Sequence, residues 1–325
     1  MNVKKLDRLL FGTAGVPICS PKKDTVTGIL TVKEIGLDAM EIEFVYGVRM
    51  KPEVAEEARK VAEEGGVVLT AHGPYYINLL SEDKAKLEAS VQRILETARV
   101  AYACGGYSIT FHAAFYGKLS QEEAYKAVKQ RLKQIVKQLK DEGIEIWVRP
   151  ETTGKGTQFG TLEELLKLSQ EVEYVMPCLD FAHMHARLGG RLNSEEEFRE
   201  VLVKLEEALG REALDNLHVH VSGIEYGEKG EKKHLNLEQS DLNYEALLKV
   251  WKEFDVKGVV ISESPNIEGD AILLKQLYYP GWKPRPPPKK EKKPRKKKKK
   301  KKEEEEKEEK KEKKAKKRKA KKGKK

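Results

Sequence analysis

The sequence predicts an α/β chain, a (β/α)8 TIM barrel followed by a disordered basic C-terminal tail. Three observations carry that expectation. Short apolar, β-branched stretches alternate with amphipathic helical ones eight times along residues 1–282. That length suits an eight-fold barrel of roughly 250 residues better than one ordinary core. Beyond it the composition changes abruptly: residues 283–325 hold 24 Lys and 3 Arg against 8 Glu, a net +19. With five Pro and only Ala315 and Ala320 as apolar residues, that segment buries too little surface to fold by itself.

The full chain of 325 residues carries +10, from 63 basic and 53 acidic residues. The body therefore has 36 basic and 45 acidic residues, a net −9, and the basic character belongs to the tail. The expected division is a barrel domain at 1–282 and a Lys-rich disordered tail at 283–325, with the proline cluster at 284–288 as linker. Such a tail is a polycation suited to phosphate backbones.

Strands are expected at 8–13, 39–44, 67–72, 107–112, 145–149, 174–180, 217–221 and 258–263. Helices are expected at 54–64, 84–103, 121–140, 162–170, 195–209 and 244–254, and residues 277–282 close the body. The first crossover, between Thr13 and Ala39, has the weakest helical pattern because Gly and Thr interrupt it. Cys19, Cys104 and Cys178 are odd in number without CxxC spacing, which predicts reduced thiols in a cytoplasmic protein rather than disulfides or a zinc knuckle. No run approaches the ~20 apolar residues of a membrane span. Gly154-Lys155-Gly156 and Gly189-Gly190 fit neither nucleotide-binding glycine pattern.

The ionisable residues gather where a parallel barrel places chemistry, at the C-terminal ends of its strands. His72, His112, Asp180 and Glu263 end strands three, four, six and eight. Glu151 follows strand five, His183 follows strand six, His218 and His220 lie on strand seven, and His234 follows it. One such residue is ordinarily a satisfied structural group, but six strand ends at once are not. Imidazole and carboxylate are the donors expected for zinc or manganese. One ion needs three or four ligands and this rim offers eight or more, so the arrangement predicts several ions. Glu41 and Glu43 share the inward face of strand two, either as an ion-paired layer or as a substrate contact. Tyr75 and Tyr76, just beyond His72, suit core packing or stacking on a base or sugar.

Five segments, AHGPYYINL, ITFHAAFYG, RPETTGK, CLDFAH and VISESP, resemble in sequence and order the endonuclease IV family of apurinic/apyrimidinic endonucleases, in the xylose-isomerase-like barrel superfamily. The resemblance spans essentially the whole body. It implies a DNA-repair hydrolase of base excision repair that cuts the phosphodiester 5′ to an abasic site through a multinuclear, metal-activated hydroxide. Two or three Zn2+ are implied, with Mn2+ as the alternative. His72 and His112 then hold the first ion, with Glu151 bridging it to the second as the catalytic group. Asp180, His218 and Glu263 complete the second, with His220 as the alternative to His218. His183 and His234 hold the third, and Tyr75 contacts substrate. The implied partner is double-stranded DNA with abasic sites, the tail lying on its backbone; the protein is expected to be monomeric, cytoplasmic and nucleoid-associated.

Two departures bear on the third ion. The family's Asp two positions before the second His is Lys232 here, which cannot ligate while protonated, so the third ion is expected to be absent, weakly held, or completed by a neighbour such as Glu231 or Glu238. The Gly-rich turn that follows is replaced by Glu238-Gln239-Ser240. The competing reading is a single-metal sugar isomerase or epimerase using Glu151, Asp180, His218 and Glu263; the additional histidines favour the nuclease. A purely binding protein steered by its tail has no need of two complete ligand sets.

Overall fold

The computed structural model describes residues 5–288. Its main sheet has eight strands: β1 (Leu9–Ala14), β2 (Ala39–Glu43), β3 (Val68–His72), β4 (Ser108–Phe111), β5 (Trp147–Pro150), β6 (Leu179–Asp180), β7 (Leu217–Val221) and β8 (Gly258–Ser262). They lie in the order β5-β4-β3-β2-β1-β8-β7-β6, and every pairing is parallel. Parallel bridges from Val148 to Val175 and from Glu151 to Cys178 join the two edges, so the sheet closes into a barrel. Five of the strands are buried at every residue, as expected where helices cover the outside and side chains fill the inside.

The sixth strand is the one that departs most from its expected span. Of residues 174–180 only Leu179–Asp180 form regular ladder. Pro177 has no N–H to give, and its carbonyl is instead taken by Arg149 Nη1 at 3.0 Å. Arg149, itself fully buried, also reaches the Asn216 carbonyl at 2.8 Å and lies over the Tyr107 and Trp147 rings. This cluster plugs the barrel end opposite the rim where the histidines gather.

Helices run between the strands: α1 (Thr25–Ile35), α2 (Pro52–Gly65), α3 (Lys84–Ala103), α4 (Gln121–Asp141), α5 (Leu162–Glu171), α6 (Phe181–Arg187), α7 (Glu195–Leu209), α8 (Arg211–Leu214), α9 (Tyr244–Glu253) and α10 (Glu268–Tyr278). The weak first crossover does fold as a helix. Asp24 caps its N-terminus through Thr27 N, and Gly36 at φ 86° ends it. Gly28 is there for contact rather than flexibility, because a Cβ would meet Val16 at 2.9 Å. Helices α6 and α10 were not expected. Helix α6 starts abruptly from a strand, its N-cap being Asp180 at the end of β6.

Two short antiparallel ribbons decorate the rim, Ala114–Phe115 with Gln158–Phe159, and Gly223–Gly227 with Gly230–Leu235. The compact unit runs to Pro288, and Arg285 N donates to Ile35 O at 3.1 Å, so the first residues beyond 282 still touch the body. The rest of the expected tail lies outside the described residues. Among those described, no helix is long and apolar enough to cross a membrane.

Candidate metal centre

Every strand from β3 to β8 delivers a donor to one point above the barrel. Glu151, one residue past β5 and fully buried, is the centre of it. Its Oε2 lies 3.3 Å from His72 Nε2, and its Oε1 lies 3.3 Å from His112 Nε2. On the other side His183 Nδ1 is 3.0 Å from Oε1, and His220 Nδ1 is 3.5 Å from Oε2. His220 Nδ1 also stands 3.3 Å from Glu263 Oε1, and His183 Nδ1 stands 3.3 Å from Asp180 Oδ2. Three groups result, each with donor atoms within 4.8 Å of one another: His72, His112 and Glu151; Glu151, Asp180, His220 and Glu263; His183, Glu231 and His234.

These groups fit divalent ions. Glu151 Oε2, Asp180 Oδ2, His220 Nδ1 and Glu231 Oε2 are all buried without a hydrogen-bond partner, which costs about 1–3 kcal/mol for each such group unless a cation satisfies it. His183 Nε2 and His234 Nε2 face each other at 3.4 Å, a contact two bare lone pairs do not sustain. The 3.3 Å separation repeated from Glu151 to His72 and His112 and from His220 to Glu263 matches the edge of a tetrahedron whose ligands sit ~2.0–2.1 Å from a central ion. Neighbouring bonds also orient the rings. His72 Nδ1 lies 2.7 Å from Gly73 O, and His234 Nδ1 lies 3.3 Å from Glu263 O, so each turns Nε2 toward the centre.

The electrostatics agree. Burial lowers the basicity of His72 and His183, but the surrounding carboxylates more than offset it and push both up to about 10. Burial also acts to raise Glu151, yet the His112 and His220 charges hold it well below the ordinary carboxylate range. The pocket is thus an anionic cavity that recruits positive charge, protons or metal, wherever it can.

His218 does not join these groups. It lies two residues deeper on β7, with Nδ1 2.8 Å from Ser108 Oγ and Nε2 3.0 Å from Glu41 Oε2. Both histidines point inward, but only His220 reaches Glu151. Cys178 forms a deeper group with His218 and His220; burial pushes its thiol up to about 12, so it stays protonated. His185 also stands apart, buried in α6 with Nδ1 2.9 Å from Leu192 O and Nε2 3.1 Å from Asp241 Oδ1.

Lys232 points away from the centre, 3.5 Å from Glu225 Oε1, and Glu231 takes the place beside His183 and His234. Glu238 is not in this group. Above the donors opens a cavity of about 410 Å³, whose lining includes Tyr75, Lys155, Gln158 and Glu43. Tyr75 is 65% exposed there, its ring 6.2 Å from that of His72. Burial, reinforced by the Glu41 charge, pushes Glu43 up to about 8. Lys155 was legible only as a residue between two glycines; its Nζ stands 3.9 Å from Glu231 Oε1.

Residues 29–289 match the family described as xylose isomerase-like TIM barrel. The chain belongs to that family. An uncharacterized protein of Methanocaldococcus jannaschii is 43% identical over 270 residues, covering 83% of this chain and 97% of its own. An apurinic-apyrimidinic endonuclease of Caenorhabditis elegans is 27% identical over 226 residues, 67% of this chain and 56% of that protein. Among solved structures, endonuclease IV from Thermus thermophilus superposes with a TM-score of 0.63 at 21% identity, over 83% of this chain and 97% of that one. A D-tagatose 3-epimerase-like protein superposes with a TM-score of 0.62 at 20% identity, over 82% and 95%. Within the family, the sequence resemblance to endonuclease IV is borne out by such relatives, while the fold is shared equally with sugar epimerases.

Proposed function

We propose that this protein is an apurinic/apyrimidinic endonuclease that hydrolyses the phosphodiester 5′ to an abasic site in double-stranded DNA. The observation that carries the reading is the pair of donor groups beyond the four-ligand one, namely His72-His112-Glu151 and His183-Glu231-His234. A sugar epimerase has work for one ion. Three adjacent groups, two of them sharing Glu151, suit a phosphoryl centre, whose attacking and leaving oxygens both gain charge. Endonuclease names among the relatives point the same way.

Zinc or manganese held by these residues supplies a Lewis acid for the scissile phosphate and a hydroxide nucleophile at neutral pH. The chain's own groups set the geometry. Glu151 touches donors of all three groups and so fixes their spacing. Lys155 offers a cation to a phosphate entering the cavity, and the exposed Tyr75 ring offers a face to the extruded sugar. A cavity of about 410 Å³ has room for an extruded sugar phosphate, and a missing base lowers the unstacking cost of extruding it.

The second reading, a sugar epimerase, draws on the close superposition with the epimerase-like structure and on the Glu151-Asp180-His220-Glu263 group. One assay separates the two. An end-labelled duplex with a single abasic site is incubated with protein in zinc or manganese, beside intact duplex, chelator and Glu151→Ala controls. Incision 5′ to the lesion, abolished by chelator and reduced at least ~100-fold by the substitution, is expected. Folded, metal-loaded protein that leaves the duplex whole but epimerises a ketose overturns the nuclease reading.

A further inference from the structure

Two inward carboxyl groups alternate on β2, and the structure gives them different surroundings. Glu41 is enclosed, its Oε2 3.0 Å from His218 Nε2 and bonded by Thr70 Oγ1 at 2.8 Å. Glu43 pairs in register with His72, one inward layer higher, and lines the cavity above the ion groups without belonging to any of them. The backbone pairing continues past it, with Phe44 N donating to His72 O at 3.1 Å, so its stem is fixed at the rim. Its Oε1 is nevertheless buried without a hydrogen-bond partner.

Outside the ion groups, the polar side chains lining that cavity are Glu43, Tyr75, Lys155 and Gln158. Glu43 and Gln158 each leave a buried oxygen unpartnered, and a buried acceptor of that kind is costly until a donor reaches it. Gln158 follows the Lys155 loop, its N donating to Lys155 O at 3.1 Å, and its amide can turn an NH2 toward a phosphate oxygen. A carboxyl group, protonated or not, keeps at least one oxygen that only accepts, and an ionised phosphodiester has no proton to give it. Within a DNA strand the 3′ and 5′ oxygens of deoxyribose are esterified, so an intact nucleotide's sugar offers no O–H. Loss of the base creates one, the C1′ hydroxyl of the ring-closed sugar. Burial and then the Glu43 charge raise the Tyr75 hydroxyl, which places the carboxyl group and the exposed Tyr75 ring beside the same part of the cavity.

We propose that Glu43 is a specificity-determining residue that accepts a hydrogen bond from the C1′ hydroxyl of the abasic sugar, the group a departed base leaves behind. The role rests on the nuclease reading above. A tetrahydrofuran abasic analogue, whose C1′ carries only hydrogen, cannot make the contact and leaves Oε1 unpaired. Neither can a nucleotide whose C1′ still bears a base.

Full-length, zinc-loaded protein is given two end-labelled duplexes, identical except that one carries a natural abasic site and the other the tetrahydrofuran analogue. The ratio of kcat/KM between them is measured for wild type, Glu43→Leu, Glu43→Gln and Gln158→Leu, with zinc content by metal analysis. Because the ratio is read within one preparation, it does not depend on the fraction of protein folded or loaded. Wild type is expected to favour the natural site ~10- to 100-fold, and Glu43→Leu to bring the two substrates within ~2-fold at unchanged zinc content. Glu43→Gln, which keeps an accepting oxygen, is expected to retain most of the preference. Gln158→Leu is expected to slow both substrates alike. Equal rates on the two duplexes by wild type, an unchanged ratio in Glu43→Leu, or loss of an ion from that variant overturns the role and leaves the nuclease reading standing. Folded, metal-loaded wild type that cuts neither duplex overturns both.

Discussion

On a regular strand, a carboxylate two positions before His234 would share its face, and the residue there is Lys232. The ribbon resolves this with a β-bulge. Ile224 pairs with His234 and Glu225 with Lys233, but Tyr226 pairs with Glu231, so Lys232 is an extra residue with no partner across the ladder. The bulge turns Glu231 to the inner face in place of its neighbour. Glu231→Gln is therefore expected to cost one bound ion by metal analysis after gel filtration, and Lys232→Ala none. A bulge leaves no trace in residue type, which is why the sequence offered Glu231 and Glu238 as equals. The His218 and His220 pair was ambiguous for a related reason. Alternation says which residues face inward but not how deep they lie, and two residues along a strand is ~6.6 Å. Depth also gives His218 a pH signature. Burial pushes it down to about 4, against 6.5 in the unfolded chain. As pH falls below 6.5 the unfolded state takes up a proton that the folded state refuses, so stability present above 6.5 is lost progressively down to about 4. In chelator, wild type is expected to lose about 2 kcal/mol relative to His218→Gln between pH 7 and pH 5, read from urea midpoints.

At the scale of elements, the six donor-bearing strand ends were legible because β-branched runs end where polar residues begin, and a parallel barrel puts those ends on one rim. Helices α6 and α10 were not. Helix α6 has buried residues at six of its seven positions, so no polar face interrupts its pattern. Helix α10 lacks a side-chain cap, its N-cap Ile267 lying at φ 48°, although Glu268 does anchor the first loop by accepting from Ile18 N and Cys19 N at 2.7 and 2.8 Å. The ribbon carrying Glu231 and His234 gives the element-level test. Deleting Lys232 straightens the ladder yet leaves Glu231 and His234 two apart on one face, so ion content should be unchanged. Deleting Lys232 and Lys233 together makes the two ligands adjacent and sends them to opposite faces. That variant is expected to lose one ion, by the same metal analysis, while its far-UV circular dichroism stays that of the barrel.

For the whole molecule, the decisive quantity is the separation of charge along the chain. Residues before Lys283 carry a net −9 and those from Lys283 onward +19. A body of that sign repels a polyanion at distances up to the Debye length, ~8–10 Å at physiological salt, so its local donors act only after encounter. On the proposed function the basic segment would supply the opposite term, through release of counterions from phosphates, a term that falls with the logarithm of salt at ~0.9 per phosphate neutralised. Removing residues 289–325 keeps the Arg285 contact to Ile35 and so leaves the barrel's last turn in place. The truncated protein is expected to bind duplex with a salt slope shallower by at least ~3, while cleavage at saturating abasic substrate stays within about two-fold, because ion groups and cavity lie wholly within the body. The two readouts divide the labour between encounter and chemistry. An unchanged salt slope, measured by fluorescence anisotropy from about 50 to 300 mM KCl, would place DNA affinity in the barrel and reduce the basic segment to a solubilising one.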